Sequence, residues 1–374
     1  MKFEVSSSEL LKALNIAAGA IGSNPVIPVM EDFLFDIKQN NLTITTTNLE
    51  TTIITSLEVI SEQDGIIAIP AKMFLETIKA LPEQPITFTV DEETNGITIL
   101  SSFGKYKLSG DAPDDFPTPP SEADTESLTL RSKKLLKGIS NTLFATSNDD
   151  IRLAMTGVFF QIDFNKMNIV ATDAHKLVKY TVGNLATDIA ASFIVPKKGL
   201  MLVKNILTED EEVQISFNKT NVFFNMGKTL IACRLIDAKY PDYNAVIPVE
   251  NPNIVTINRK DFLNSLKRTA IYANKSTYQI VLNIAESSMT VSAQDLDFSN
   301  EATEQLSCEF NAEPMVIGFN GKLLLEMLIV LESDEVKLML STPNRAGLIV
   351  PAEEDSDEVL LMLLMPVMTT QSYV

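Results

Sequence analysis

The chain has no tryptophan, one histidine (His175) and two cysteines (Cys233 and Cys308) among its 374 residues. Two isolated thiols in a chain this long argue against a disulfide framework and suit a reducing cytoplasm. A single histidine builds no cluster with metal-ligand spacing, so neither metal nor other cofactor is expected. A phosphate loop and a Gly-x-Ser-x-Gly elbow are missing as well. No apolar run reaches the roughly eighteen residues that a spanning helix needs, so no membrane partner is expected. Met1-Lys2-Phe3-Glu4-Val5 has no apolar signal region and reads as a strand from the start. Positive charge is also scarce. Lysine and arginine total 30 against 49 acidic residues, a net charge of -19. Taken alone, that balance argues against a polyanion as partner.

What the chain does have is repetition. Phe3-Glu4-Val5 is followed by Leu10-Leu11 and Leu14. Leu128-Thr129-Leu130 is followed by Leu135-Leu136 and Ile139. Val255-Thr256-Ile257 is followed by Phe262-Leu263 and Leu266. Each is a short alternating strand leading into an amphipathic helix, and the starts lie 125 and 127 residues apart. A second strand–helix pattern recurs inside each unit, with helices expected over 71–81, 197–207 and 321–331. Those of the first pattern are expected over 8–19, 131–144 and 259–272. Alternating strands such as Ile86–Val90, Val213–Phe217 and Val336–Leu340 follow the second helices. Runs of consecutive strands point to an α+β fold with antiparallel sheets. Proline-rich stretches at 111–124 and 240–253 read as linkers. They divide the chain into domains 1–124, 125–252 and 253–374.

The six helical spans hold 15 basic and 4 acidic residues, a net +11, which leaves -30 for the rest of the chain. Lys12, Lys72, Lys79, Lys134, Lys137, Lys197, Lys198, Lys204 and Lys267 are the candidate anion-facing cations. Lys134, Lys137 and Asn141 share one helix face, opposite Leu135, Ile139 and Leu143. Lysines on a solvated face are ordinary for any single helix. Six helices with a combined +11 in so acidic a chain point to a shared polyanion surface. No base-reading motif accompanies them, so duplex DNA would be held through its phosphates without regard to sequence. A 125-residue domain approximates a sphere of roughly 18 Å radius. Three such spheres in a ring leave a hole about 6 Å across, whereas six leave about 36 Å, enough for a duplex about 20 Å wide. Two chains joined head to tail would supply the six.

Ala171-Thr172-Asp173-Ala174-His175-Lys176-Leu177, Val195-Pro196-Lys197-Lys198-Gly199 and Lys239-Tyr240-Pro241-Asp242-Tyr243 carry a resemblance, with Val246-Ile247-Pro248, Ile317-Gly318-Phe319-Asn320 and Met365-Pro366. In this order they resemble the bacterial β sliding clamp, the processivity subunit of DNA polymerase III, over essentially the full length. The resemblance implies a homodimeric ring with twelve helices around the hole and no catalytic role. It also implies a hydrophobic pocket between the second and third domains, built from Met155, Thr172, Ala174, His175, Leu177, Pro241, Val246, Asn320, Leu323, Leu363, Leu364, Met365 and Pro366. Partners there would be the polymerase, the clamp loader and other proteins, through short extended peptides with a glutamine and bulky apolar residues. Ring closure would engage Tyr106 and Leu108 on an edge strand, with Ile271 and Tyr272 on the facing helix. The chain departs from the family pattern at Asn24, Asp149, Leu153 and Leu323, and it runs on from Thr369 to Val374.

Two other readings stand beside this one. Asp173 and His175 look like an acid–base pair, but they lie i, i+2 at a strand end. Thr47-Asn48, 125 residues earlier, makes Asp173 a turn-former instead. Met155 and the run Leu360–Leu364 also fit plain core. A scaffold that binds only proteins would suit the acidic exterior, and the basic helix set is what separates it from a DNA-encircling ring.

Overall fold

The computed structural model describes residues 1–22, 25, 27–91, 93–208, 211–353 and 357–368. Asn24 and the tail 369–374 lie outside the described residues.

Apolar spacing places six α-helices: α1 Ser7–Ala17, α2 Ala71–Ala80, α3 Ser132–Thr142, α4 Lys197–Ile206, α5 Arg259–Thr269 and α6 Gly321–Val330. Helices α1, α3 and α5 each tighten into one 3-10 turn, at Ala18–Ala20, Leu143–Ala145 and Ala270–Tyr272, so their α-helical parts end short of the expected spans. Arg131 closes the strand Glu126–Arg131 and is not helical. Side-chain caps satisfy orphan N–H groups at two starts. Asn258 Oδ1 accepts from Asp261, and Asn320 Oδ1 accepts from Lys322 and Leu323.

The chain gathers into two compact units, Met1–Leu136 with Lys198–Leu235, and Lys137–Lys197 with Ile236–Val374. The strand–helix order repeats three times, yet the division falls inside the middle repeat. Sheet pairing is the reason. In the first unit an eight-stranded antiparallel sheet joins Thr229–Arg234 of the middle repeat to Thr51–Glu58 of the first, in register Leu230↔Ile54 and Cys233↔Thr51. In the second unit a nine-stranded sheet joins Lys176–Val182 to Glu358–Leu364, in register Leu177↔Leu363.

Each unit also holds a five-stranded sheet. The first runs in the order Ile60–Gln63, Lys2–Ser6, Pro85–Asp91, Gly96–Leu100, Lys105–Ser109, which makes Lys105–Ser109 an edge strand. Between this sheet and the larger one, α1 and α2 bury Leu10, Leu14, Phe74 and Ile78 in a single core. Phe3 stacks on Phe88 at 4.8 Å, and Phe74 meets Phe35 and Phe88 edge-on at 5.6 Å. Quadrupole geometry favours such offset and T-shaped pairs. The second unit's smaller sheet ends on Asn300–Ser307 at one edge and Pro366–Val367 at the other.

Candidate functional site

A tight turn in the second unit sits between the strands Lys166–Thr172 and Lys176–Val182. Asp173 Oδ1 accepts from the backbone N–H of His175 and of Lys176, both at 2.9 Å. Thr172 Oγ1 donates to the Lys176 carbonyl at 2.7 Å and accepts from Ala174 N–H at 3.1 Å. These bonds hold Ala174 at φ 76, the left-handed region, a conformation that tight polar turns tolerate. The Asp173 carboxylate is thus committed to the turn and is not poised as a base beside His175, whose ring is exposed.

Beneath the turn lies an apolar floor. Leu177 and Leu363 sit opposite each other with Val170, Ile194, Tyr240, Tyr243, Ala346 and Leu348. Tyr240 stacks on Phe159 at 4.6 Å, and its burial raises the phenol pKa above the usual range. The Tyr243 hydroxyl bonds Gln161, while Lys179 lies 5.7 Å from the Tyr243 ring with its ammonium pKa lowered by burial. The rim is open: Val246 and Met365 are 56% and 43% exposed. Met365 N–H donates to the His175 carbonyl at 3.0 Å, which ties the chain's last described residues to the turn. Asn320, the α6 cap, and Leu323 are half-buried. An apolar floor, a flexible methionine rim and nearby backbone polar groups suit an extended apolar peptide.

A buried charge anchors this arrangement. The Lys176 side chain is 5% exposed, donates to Glu326 of α6 at 2.6 Å, and lies 3.4 Å from Asp173 and 5.5 Å from the Phe144 ring centroid. The ammonium therefore links the turn to α6.

The helix cations divide into committed and uncommitted groups. Lys12 pairs with Glu9, and Arg268 grips Glu304 through two bonds. Lys137 donates to Glu358 at 2.9 Å, alongside the Tyr180 hydroxyl at 2.6 Å, so its ammonium is spent inside the second unit. Its expected place among the DNA-facing cations therefore carries a prior commitment to Glu358. Among the described residues, Lys72, Lys79, Lys133, Lys198, Lys204 and Lys267 have no carboxylate partner.

Comparison with known proteins gives these features a family. Models of the DNA polymerase III beta subunit match as N-terminal domain over residues 1–120, central domain over 129–242 and C-terminal domain over 244–366. The chain belongs to the beta sliding clamps. The beta sliding clamp of Haemophilus influenzae is 29% identical over 367 residues, 97% of this chain and 99% of that one. That of Vibrio cholerae is 28% identical over 365 residues, with the same coverage. The Pseudomonas aeruginosa sliding clamp bound to griselimycin superposes with a TM-score of 0.93 at 26% identity, covering 99% of this chain and 100% of that one. Clamps of this family are non-catalytic processivity factors of the replicative polymerase, and this chain is one.

Within the clamp, the sequence-derived pocket residues fall into three groups. Ala174, His175, Pro241, Val246 and Met365 are exposed around the turn, with Met155, Asn320, Leu323 and Pro366 half-buried. Thr172, Leu177 and Leu363 form the buried floor. Leu364 is fully buried and lies on the other face of its strand from Leu361 and Leu363, so it is core and not floor. Strand alternation makes that unavoidable. Phe159, Tyr240, Tyr243 and the Lys176–Glu326 pair are site residues that the sequence reading misses. Lys239-Tyr240-Pro241-Asp242-Tyr243 carries the two tyrosines in plain view, whereas Glu326 is 150 positions from Lys176 and leaves no local signal. Asp149 caps its own turn by accepting from Ile151 N–H, and Leu153 is 50% exposed. Tyr106 is 36% exposed on its edge strand, where Leu108 packs against the first core. Ile271 and Tyr272 stand 66% and 43% exposed after α5, in the 3-10 turn. No described helix is long and apolar enough to cross a membrane.

Proposed function

We propose that two copies of this clamp close head to tail into a ring around duplex DNA, reading phosphates and not bases. Polymerase, clamp loader and other partners would be held through peptides laid across the Leu177–Leu363 floor. The partition of charge carries the reading. The six α-helices hold 14 basic and 4 acidic residues, a net +10 in a chain of -19. Counterions released from DNA favour such a surface, and the acidic remainder keeps the outer faces off the duplex. Three domains per chain and the edge strands Lys105–Ser109 and Asn300–Ser307 support the head-to-tail closure. The first edge exposes Lys105 and Lys107, the second Glu301. Such complementary edges invite strand pairing between copies. A DNA-bound clamp belongs in the cytoplasm, at the nucleoid.

The test is topological. A ring stays on nicked circular DNA and slides off the same DNA once linearised. Charge reversal at Lys72, Lys198 and Lys267 should weaken retention and flatten its salt dependence, by about 0.9 in log–log slope for each phosphate no longer neutralised. Peptide affinity should stay unchanged. Equal retention on circular and linear DNA would overturn the encircling reading.

A further inference from the structure

A carboxyl pair at the foot of the first linker is not used by anything described so far. Asp32 opens the strand Asp32–Lys38 and is 4% exposed. Its Oδ2 is fully buried and has no hydrogen-bond partner. The side chain within hydrogen-bonding reach is that of Asp111, the first residue of the proline-rich linker, which is itself exposed. The other charge acting on Asp32 is Glu31, from the preceding 3-10 turn Pro28–Glu31. The strand Gly65–Pro70, paired with it through Pro70, carries no ionisable side chain. The two charged groups that act on Asp32, Asp111 and Glu31, are both acidic, and its buried Oδ2 has no donor among the described residues; Asp114 and Asp115 of the linker add further acid nearby, and Lys72 of the adjoining helix makes no ion pair with it.

Asp111 is also where the linker is stitched to the first unit. Asp111 N–H donates to the Ala68 carbonyl at 2.9 Å, and Ala68 N–H donates back to Asp111 at 3.2 Å. Just beyond, Phe116 packs with Val29 and Ala68 beside Ile27 and Leu34. A buried, unpaired carboxylate at this point costs free energy, and a carboxylic acid would convert the orphan acceptor into a donor.

We propose that one proton shared between Asp32 and Asp111 fastens the linker to the first repeat, and that losing it as pH rises loosens segment 111–116. Burial first and Asp111 second raise the Asp32 pKa from the ordinary carboxylate value of 3.8 to about 7. The folded chain thus holds a proton that the unfolded chain releases near pH 4. The fastening is complete below that pH and is lost progressively as pH rises through about 7.

Hydrogen exchange on the full-length protein tests this, with each rate divided by the intrinsic rate at the same pH. Protection of the Ala68 and Asp111 amides should fall about tenfold between pH 6 and pH 8. In Asp32→Asn the step should vanish, because the amide supplies an N–H donor at every pH. Asp111→Asn should flatten it too, by donating to the Asp32 carboxylate. A flat wild-type profile would overturn the proposal, as would an unchanged step in both variants. Protection at pH 8 restored by magnesium or calcium alone would also overturn it, by assigning the gap to a cation and not to a proton.

Discussion

Two turns, 125 residues apart, share one backbone design and rest on different floors. At Thr47–Thr52, Asn48 Oδ1 accepts from Glu50 and Thr51 N–H, and Leu49 is left-handed at φ 71. At Thr172–Leu177, Asp173 takes the place of Asn48 and Ala174 that of Leu49. Each turn opens a strand that pairs with a late strand of the following repeat, Thr229–Arg234 or Glu358–Leu364. Beneath the first, Thr52 lies opposite Ala232, and its hydroxyl bonds Thr47 at 2.8 Å. Next to Ala232, the Cys233 thiol has a pKa pushed up to about 12 by burial. Beneath the second, Leu177 lies opposite Leu363, backed by Tyr240 and Tyr243. The turn chemistry is a folding device common to both. The apolar floor is what the second turn has and the first lacks.

The largest test is to give the second turn the floor of the first. Leu363→Ala should cost about 2–4 kcal/mol of stability, because Leu363 is 3% exposed and its removal leaves a cavity. The pair Leu177→Thr with Leu363→Ala should lower the affinity of a glutamine-containing apolar peptide by about 30-fold or more, the loss of a hot spot. Calorimetric titration and urea unfolding measure the two separately. Full peptide affinity in a folded double variant would mean that the floor is not the site.

A smaller effect separates the turns by charge. Lys176 corresponds to Thr51, so only the second turn contains an ammonium. Removing Glu326 strands a cation that is 5% exposed, with Asp173 remaining at 3.4 Å. Removing Lys176 instead leaves Glu326, 45% exposed, to water. Glu326→Ala should therefore cost about 2–3 kcal/mol and Lys176→Met about 1 kcal/mol, both below the full penalty for a stranded interior charge. Urea midpoints in the opposite order would remove Lys176 from its anchoring role.

These residues also mark how far sequence reaches. The repeat and all six helices are legible, because apolar spacing is local and each helix buries one face. The turn role of Asp173 is legible too, from its likeness to Asn48. The middle repeat's division between two units is not, because strand pairing such as Thr229–Arg234 with Thr51–Glu58 is made by backbone groups that every residue carries. Lys137 reads as a free cation for the same reason that Lys176 goes unnoticed: Glu358 and Glu326 are 221 and 150 positions away. For Leu364 the alternation from Leu363 already indicates the buried, opposite face that the fold gives it.

The smallest expected effect is the exchange of the two turn-formers. Asparagine and aspartate both present an Oδ1 to backbone N–H groups. Asn48→Asp and Asp173→Asn should each move the unfolding free energy by no more than about 0.5 kcal/mol. Asp173→Asn is the costlier, since it removes a charge 3.4 Å from Lys176. Alanine at either position loses two acceptor bonds and should cost about 1–2 kcal/mol, as the loss of a helix cap does. The comparison breaks if Asp173→Asn leaves stability intact but abolishes peptide binding. The carboxylate would then be a ligand contact, and the likeness of the two turns would stop at their backbone.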